Sequence, residues 1–86
     1  MKSQLVGFRK GSFTDKVTGV VTESCTLNFV REPNIRETDV KGNVVFSTTV
    51  YGDSVGKLPE LEVNKVYDCD VGYSKGRYYL NDIRKL

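Results

Sequence analysis

Val20-Val21-Thr22-Glu23-Ser24-Cys25-Thr26-Leu27-Asn28-Phe29-Val30-Arg31 is the stretch that decides the fold. Val21, Cys25, Leu27 and Phe29 fall on one side of an extended chain, and Thr22, Ser24, Thr26 and Asn28 on the other. A two-residue period marks a half-buried β-strand, because successive side chains leave a strand on opposite faces. Glu23 interrupts the apolar side and marks the end where the strand leaves the core. Glu32-Pro33-Asn34 terminates the run, since proline has no N–H for a sheet ladder.

Working outward, the upstream strand is Ser3 to Phe13. Leu5 and Val6 are adjacent there and Gly7 sits inside the run, the signature of a bulge or bend. Residues Thr14 to Gly19 read as a hairpin loop. Downstream, a polar loop from Asn34 to Lys41, closed by Gly42, leads to a third strand, Asn43 to Tyr51. In that strand Val44, Phe46, Thr48 and Val50 share one side. Gly52 to Gly56 breaks it, and Lys57 to Asn64, with Leu58, Pro59, Leu61 and Val63, forms one helical turn or an irregular plug. Lys65 to Gly72 is strand four, Tyr73 to Gly76 a tight turn, and Arg77 to Ile83 strand five, followed by the tail Arg84-Lys85-Leu86. Phe8, Phe29 and Phe46 read as core.

The chain is therefore all-β. Its 86 residues hold one core, a single domain over 1–86. Five strands in this length, with a longer connection between strands three and four, outline a Greek-key OB-fold barrel. An SH3-like barrel is the alternative. The long first three strands favour the OB arrangement, since a bent strand serves both halves of the barrel.

Composition narrows function. There is no histidine, which excludes a Ser-His-Asp triad, a Cys-His pair and a His-containing zinc site within one chain. Two cysteines cannot close a zinc site by themselves. Cys25 and Cys69 each lie in an alternating run and read as buried thiols. Asp68-Cys69-Asp70 puts two carboxylates on the polar side of a strand, where they read as a solubilising face. Gly56-Lys57 lacks the flanking residues of a phosphate loop. No enzyme, cofactor, metal site or small-molecule substrate is expected. No apolar run is long enough for a membrane span, and the apolar start is cut at Arg9, so a soluble cytoplasmic protein is expected.

The formal charge of +2 is unevenly spread. Residues 1–16 carry Lys2, Arg9, Lys10 and Lys16 against Asp15; residues 71–86 carry Lys75, Arg77, Arg84 and Lys85 against Asp82. Residues 53–70 have the acidic surplus, with Asp53, Glu60, Glu62, Asp68 and Asp70 against Lys57 and Lys65. Both basic ends interleave cations with aromatic rings, in Phe8-Arg9-Lys10 with Phe13 and Lys16, and in Tyr73-Ser74-Lys75-Gly76-Arg77-Tyr78-Tyr79. Cations replace counterions along phosphates, and rings give bases a stacking platform. Arg9, Lys10, Lys16, Lys41, Lys75 and Arg77 are the candidate phosphate contacts. Phe13, Tyr51, Tyr73 and Tyr79 are the candidate stacking rings. Tyr78 and Tyr79 take opposite faces, so at most one is core.

The segments Asn64-Lys65-Val66-Tyr67-Asp68-Cys69-Asp70-Val71 and Ser74-Lys75-Gly76-Arg77-Tyr78-Tyr79-Leu80-Asn81-Asp82-Ile83-Arg84-Lys85-Leu86 carry a further likeness. Together with the size, they resemble the small single-stranded-DNA-binding, helix-destabilising OB-fold proteins of filamentous phages and related mobile elements. The first half matches in outline: an early strand, a Lys/Gly-bearing turn and a long alternating second strand. The resemblance implies cooperative, sequence-tolerant coating of single strands during DNA replication, as a homodimer. It assigns the dimer hairpin to Val44 to Gly56. The expected partner is single-stranded DNA, with RNA open. The alternative function is a small β-barrel protein–protein interaction module whose exposed tyrosines meet a peptide or subunit. A third class is an enzyme using Asp68 and Asp70.

Overall fold

A computed structural model describes residues 1–86. Five strands, β1 (Lys2–Thr14), β2 (Val21–Arg31), β3 (Val44–Tyr51), β4 (Val66–Ser74) and β5 (Arg77–Lys85), form one antiparallel sheet in the order β3-β2-β1-β4-β5. A single helical turn, α1 (Asp53–Gly56), follows β3. The central β1 serves two neighbours. Its first residues pair with β4, from Lys2 opposite Asp68 to Gln4 opposite Val66, and its longer remainder pairs with β2. The all-β expectation holds. The edge strands β3 and β5 are not joined by a ladder, so the sheet is not closed.

The expected irregularity at Gly7 is a β-bulge. Leu5 pairs with Phe29 and Gly7 with Asn28, which leaves Val6 as the extra residue. The bulge lets Leu5 and Phe8 both face inward although three positions separate them. A second irregularity, between Asp70 and Val71, makes Asn81 the extra residue on β5, so Leu80 and Ile83 both turn toward the core.

Leu5, Cys25, Leu27, Phe29, Phe46, Val50, Tyr67 and Cys69 form the core cluster. Phe29 and Phe46 are fully or nearly fully buried, and their rings stack at 5.3 Å. Phe8 is half-buried and packs against this cluster. Cys25 and Cys69 are free and buried; burial pushes the Cys69 thiol up to about 11 and raises Cys25 as well. The apolar face of β2 outruns the core. Val21 is 61% exposed, because β3 ends at Tyr51 opposite Ser24 and no third strand covers the hairpin beyond it. Val21 is therefore not a core residue, and the β1–β2 hairpin projects from a molecule 47 Å long and 18 Å thick.

Of the two readings of Lys57–Asn64, a helical turn or an irregular plug, the second is found, and the helical turn lies just before it at Asp53–Gly56. Gly52, with φ of +59°, starts the turn at Asp53. Pro59 pushes Leu58 away from helical geometry, so the following segment stays irregular. It does act as a plug: Leu58 and Leu61 pack on the core. Tyr67 pins it, since its buried hydroxyl donates to the Glu60 carbonyl at 3.0 Å and accepts from the Glu62 N–H at 2.8 Å. The β4–β5 turn is tighter than Tyr73 to Gly76. The strands run to Ser74 and Arg77, leaving Lys75 and Gly76 at φ of +52° and +76°, as a two-residue type I′ hairpin requires. No helix is long and apolar enough to cross a membrane.

Candidate nucleic-acid interface

The outward face of β1, β2 and β3 is set by register. Arg9, Thr26 and Thr49 form one row, Gly11, Ser24 and Tyr51 the next, and Phe13 stands opposite Thr22. Apart from Arg9 and the two rings, these are small side chains, so the face is shallow and polar. Thr26 and Thr49 share a 2.9 Å hydrogen bond between hydroxyls, and Ser47 Oγ donates to Asn28 Oδ1 at 2.6 Å. Cross-strand polar pairs of this kind hold a sheet surface in one arrangement. The alternation of β2 displayed these polar residues, but sequence reasoning used them to orient the strand and missed them as a surface.

Two rings mark one border of the face. Phe13 and Tyr51 are each about half exposed, and their centroids stand 6.2 Å apart, edge to face. Tyr51 also lines an open groove of about 340 Å³ between β3 and β5, together with Ser47, Thr48, Thr49, Arg77, Tyr78 and Tyr79. The opening ribbon and the closing hairpin thus meet through β3: Phe13 touches Tyr51, and Tyr51 faces the same groove as Arg77 and Tyr79.

Five of the ten expected site residues, Arg9, Phe13, Tyr51, Arg77 and Tyr79, lie on this continuous surface. Lys75 is in the two-residue turn from which Arg77 and Tyr79 emerge. Lys16 sits in the Asp15–Val20 loop at the tip of the Phe13 hairpin. That loop is ordered by Asp15, whose Oδ1 accepts from the Val17 and Thr18 N–H groups at 2.8 and 3.2 Å. The other three are elsewhere. Lys10 pairs with Cys25 on the opposite side of the sheet from Arg9. Tyr73 pairs with Tyr78, edge-on at 4.9 Å, on the side of β5 away from Arg77 and Tyr79. Lys41 precedes β3, at the strand end remote from Tyr51. Strand parity separates Lys10 from the group and β3's length separates Lys41, while Tyr73 meets the groove only through Tyr78, which lines it.

The ion pairs leave the candidate cations free. Met1's ammonium meets Asp68 at 2.8 Å, Arg31 meets Glu37 at 2.7 Å, Arg84 meets Asp82 at 3.3 Å and Lys85 meets Glu60 at 3.7 Å. Arg9, Lys10, Lys16, Lys41, Lys75 and Arg77 take part in none of them. The basic tail is instead neutralised by acids of the plug, β4 and β5. Asp70 stands opposite Asp82, with Asp68 and Arg84 in the adjoining row. No group of three or more acids and thiols is arranged to hold a metal ion.

No family model, curated protein or solved structure matches this chain.

Proposed function

We propose that the chain is a non-catalytic, sequence-tolerant binder of single-stranded DNA, built on an OB-fold-like framework. The framework is supported by β1 serving both β2 and β4 and by the near approach of the two sheet edges, where Thr48 Oγ1 donates to the Tyr78 carbonyl at 3.1 Å. In OB modules the face of strands two and three, flanked by the first and last hairpin loops, takes the oligonucleotide. The corresponding loops here carry Lys16 and Lys75.

The observation that carries the function is the position of Tyr51, between Phe13 and the Arg77–Tyr79 groove. It makes one path of rings and unpaired cations out of segments far apart in sequence. Bases stack on Phe13, Tyr51 and Tyr79 while Arg9, Lys16, Lys75 and Arg77 meet phosphates. Stacking tolerates any base, and the cations make affinity salt-dependent. On this reading the chain stands beside the helix-destabilising proteins of phages and mobile elements, as a cytoplasmic homodimer acting in replication; light scattering tests the dimer.

Fluorescence anisotropy with labelled oligo-dT at low and high salt tests the reading. Micromolar binding that weakens steeply with salt is expected, and absence of binding at low salt overturns it. Replacing Arg77 and Tyr79 together weakens binding more than replacing Glu60 and Glu62. The second reading, a protein-interaction module, draws on Tyr73, 67% exposed and packed against Tyr78. Under it, pull-downs recover a protein partner and the chain has no affinity for oligonucleotide.

A further inference from the structure

The groove between β3 and β5 has a hydrogen-bonding polarity that stacking alone does not use. Ser47 lies on its β3 wall, with Arg77 and Tyr79 on the β5 wall. A serine hydroxyl has one proton and two lone pairs. Ser47 commits its proton to Asn28 Oδ1 in a 2.6 Å hydrogen bond, on the same outward face. Toward the groove Ser47 Oγ is therefore an acceptor only. Nearby Thr49 shares its hydroxyl with Thr26, where either oxygen can donate, and imposes no polarity.

A proton-less acceptor discriminates between pyrimidines. Cytosine carries an amino donor at the ring position where uracil and thymine carry a carbonyl acceptor. The amino group satisfies Ser47 Oγ, whereas a carbonyl sets lone pairs against lone pairs. The geometry points to a base subsite in this groove that prefers cytosine to a 4-keto pyrimidine. The ring lies on Tyr51 or Tyr79, the amino N–H donates to Ser47 Oγ, and the adjoining phosphate pairs with Arg77. Asn28 is a positioning residue that acts by holding the Ser47 proton. The inference rests on the single-stranded-DNA reading and adds to it a modest base preference at one position.

The test compares short oligo-dC with short oligo-dU at neutral pH, by anisotropy; these bases differ at the 4-position without the thymine methyl. The native chain binds oligo-dC about three- to tenfold more tightly, the range of one net hydrogen bond. Ser47→Ala abolishes the difference: oligo-dC loses its hydrogen bond and oligo-dU loses the opposing lone pairs, so the two affinities converge. Asn28→Ala also abolishes it, because the freed Ser47 proton can then donate to the uracil carbonyl. A role limited to sheet stability would lower both affinities together. Equal affinities in the native chain, or a cytosine preference that survives Ser47→Ala, overturn the subsite while the single-stranded-DNA reading stands. Failure of both oligomers to bind removes that reading and the subsite with it.

Discussion

The rings of Phe13 and Tyr51 meet edge to face at 6.2 Å although β2 lies between their strands. They reach each other over Thr22 and Ser24, whose side chains are too small to keep them apart. The contact ties the projecting β1–β2 hairpin to the end of β3 and supplies the first two platforms of the proposed DNA path.

Phe13→Ala and Tyr51→Ala each weaken oligo-dT binding by roughly 1–3 kcal/mol, the range of a lost base–aromatic stack. Both rings are half exposed, so the urea midpoint moves little. Anisotropy and urea denaturation on the same variants separate the two effects. A stability loss as large as the binding loss would assign the rings to packing.

Arg77 and Lys41 are both unpaired cations, but only Arg77 faces the groove. Arg77→Ala lowers the slope of log affinity against log salt by about one contact. Lys41→Ala leaves the slope unchanged. A salt titration of both variants checks the placement, and equal effects would show that charge acts without regard to position.

Tyr67→Phe removes a buried hydroxyl that is both donor and acceptor to the plug. The Glu62 N–H and the Glu60 carbonyl lose their partner, and the chain is destabilised by about 1–3 kcal/mol. Urea denaturation gives the value. Oligo-dT affinity is unchanged under native conditions, since Tyr67 is on the opposite side of the sheet from the Tyr51 groove.

The loop after β2 contributes an acid-sensitive element. Arg31 holds the Glu37 carboxylate through two hydrogen bonds, at 2.7 and 3.2 Å, and keeps its pKa below the usual glutamate range. A carboxylate depressed in the folded state stabilises the fold above its unfolded pKa, and that contribution is lost as pH falls. The loss begins below the ordinary glutamate value of about 4.3. Glu37→Gln is less stable than the native chain at neutral pH, and the gap narrows in acid. Urea midpoints across the acid range measure it.

The strands were legible because β2 and β3 alternate cleanly and glycines and Pro33 punctuate them. The bulge at Gly7 was legible from Leu5 and Val6 standing side by side. Three features were not. The place of the helical turn depends on the positive φ of Gly52, which sequence does not display. Val21 keeps the apolar parity of β2 yet lies in solvent, because the shorter β3 ends before it. Among the site residues, parity along β1 already set Lys10 apart from Arg9 and Phe13. The separation of Tyr73 follows from its pairing with Tyr78, which became readable only once the two-residue turn at Lys75 and Gly76 fixed the register. The polar pairs Thr26–Thr49 and Ser47–Asn28 needed the β2–β3 register before they formed a surface.

Backbone and side-chain NMR shifts of the labelled protein, titrated with a short oligo-dT, test the proposed interface most directly. Perturbations are expected to concentrate at Arg9, Phe13, Thr49, Tyr51, Arg77 and Tyr79, with Lys41 and Asp70 quiet. Perturbations centred on Tyr73 and Lys41, or none at saturating oligonucleotide, would contradict it.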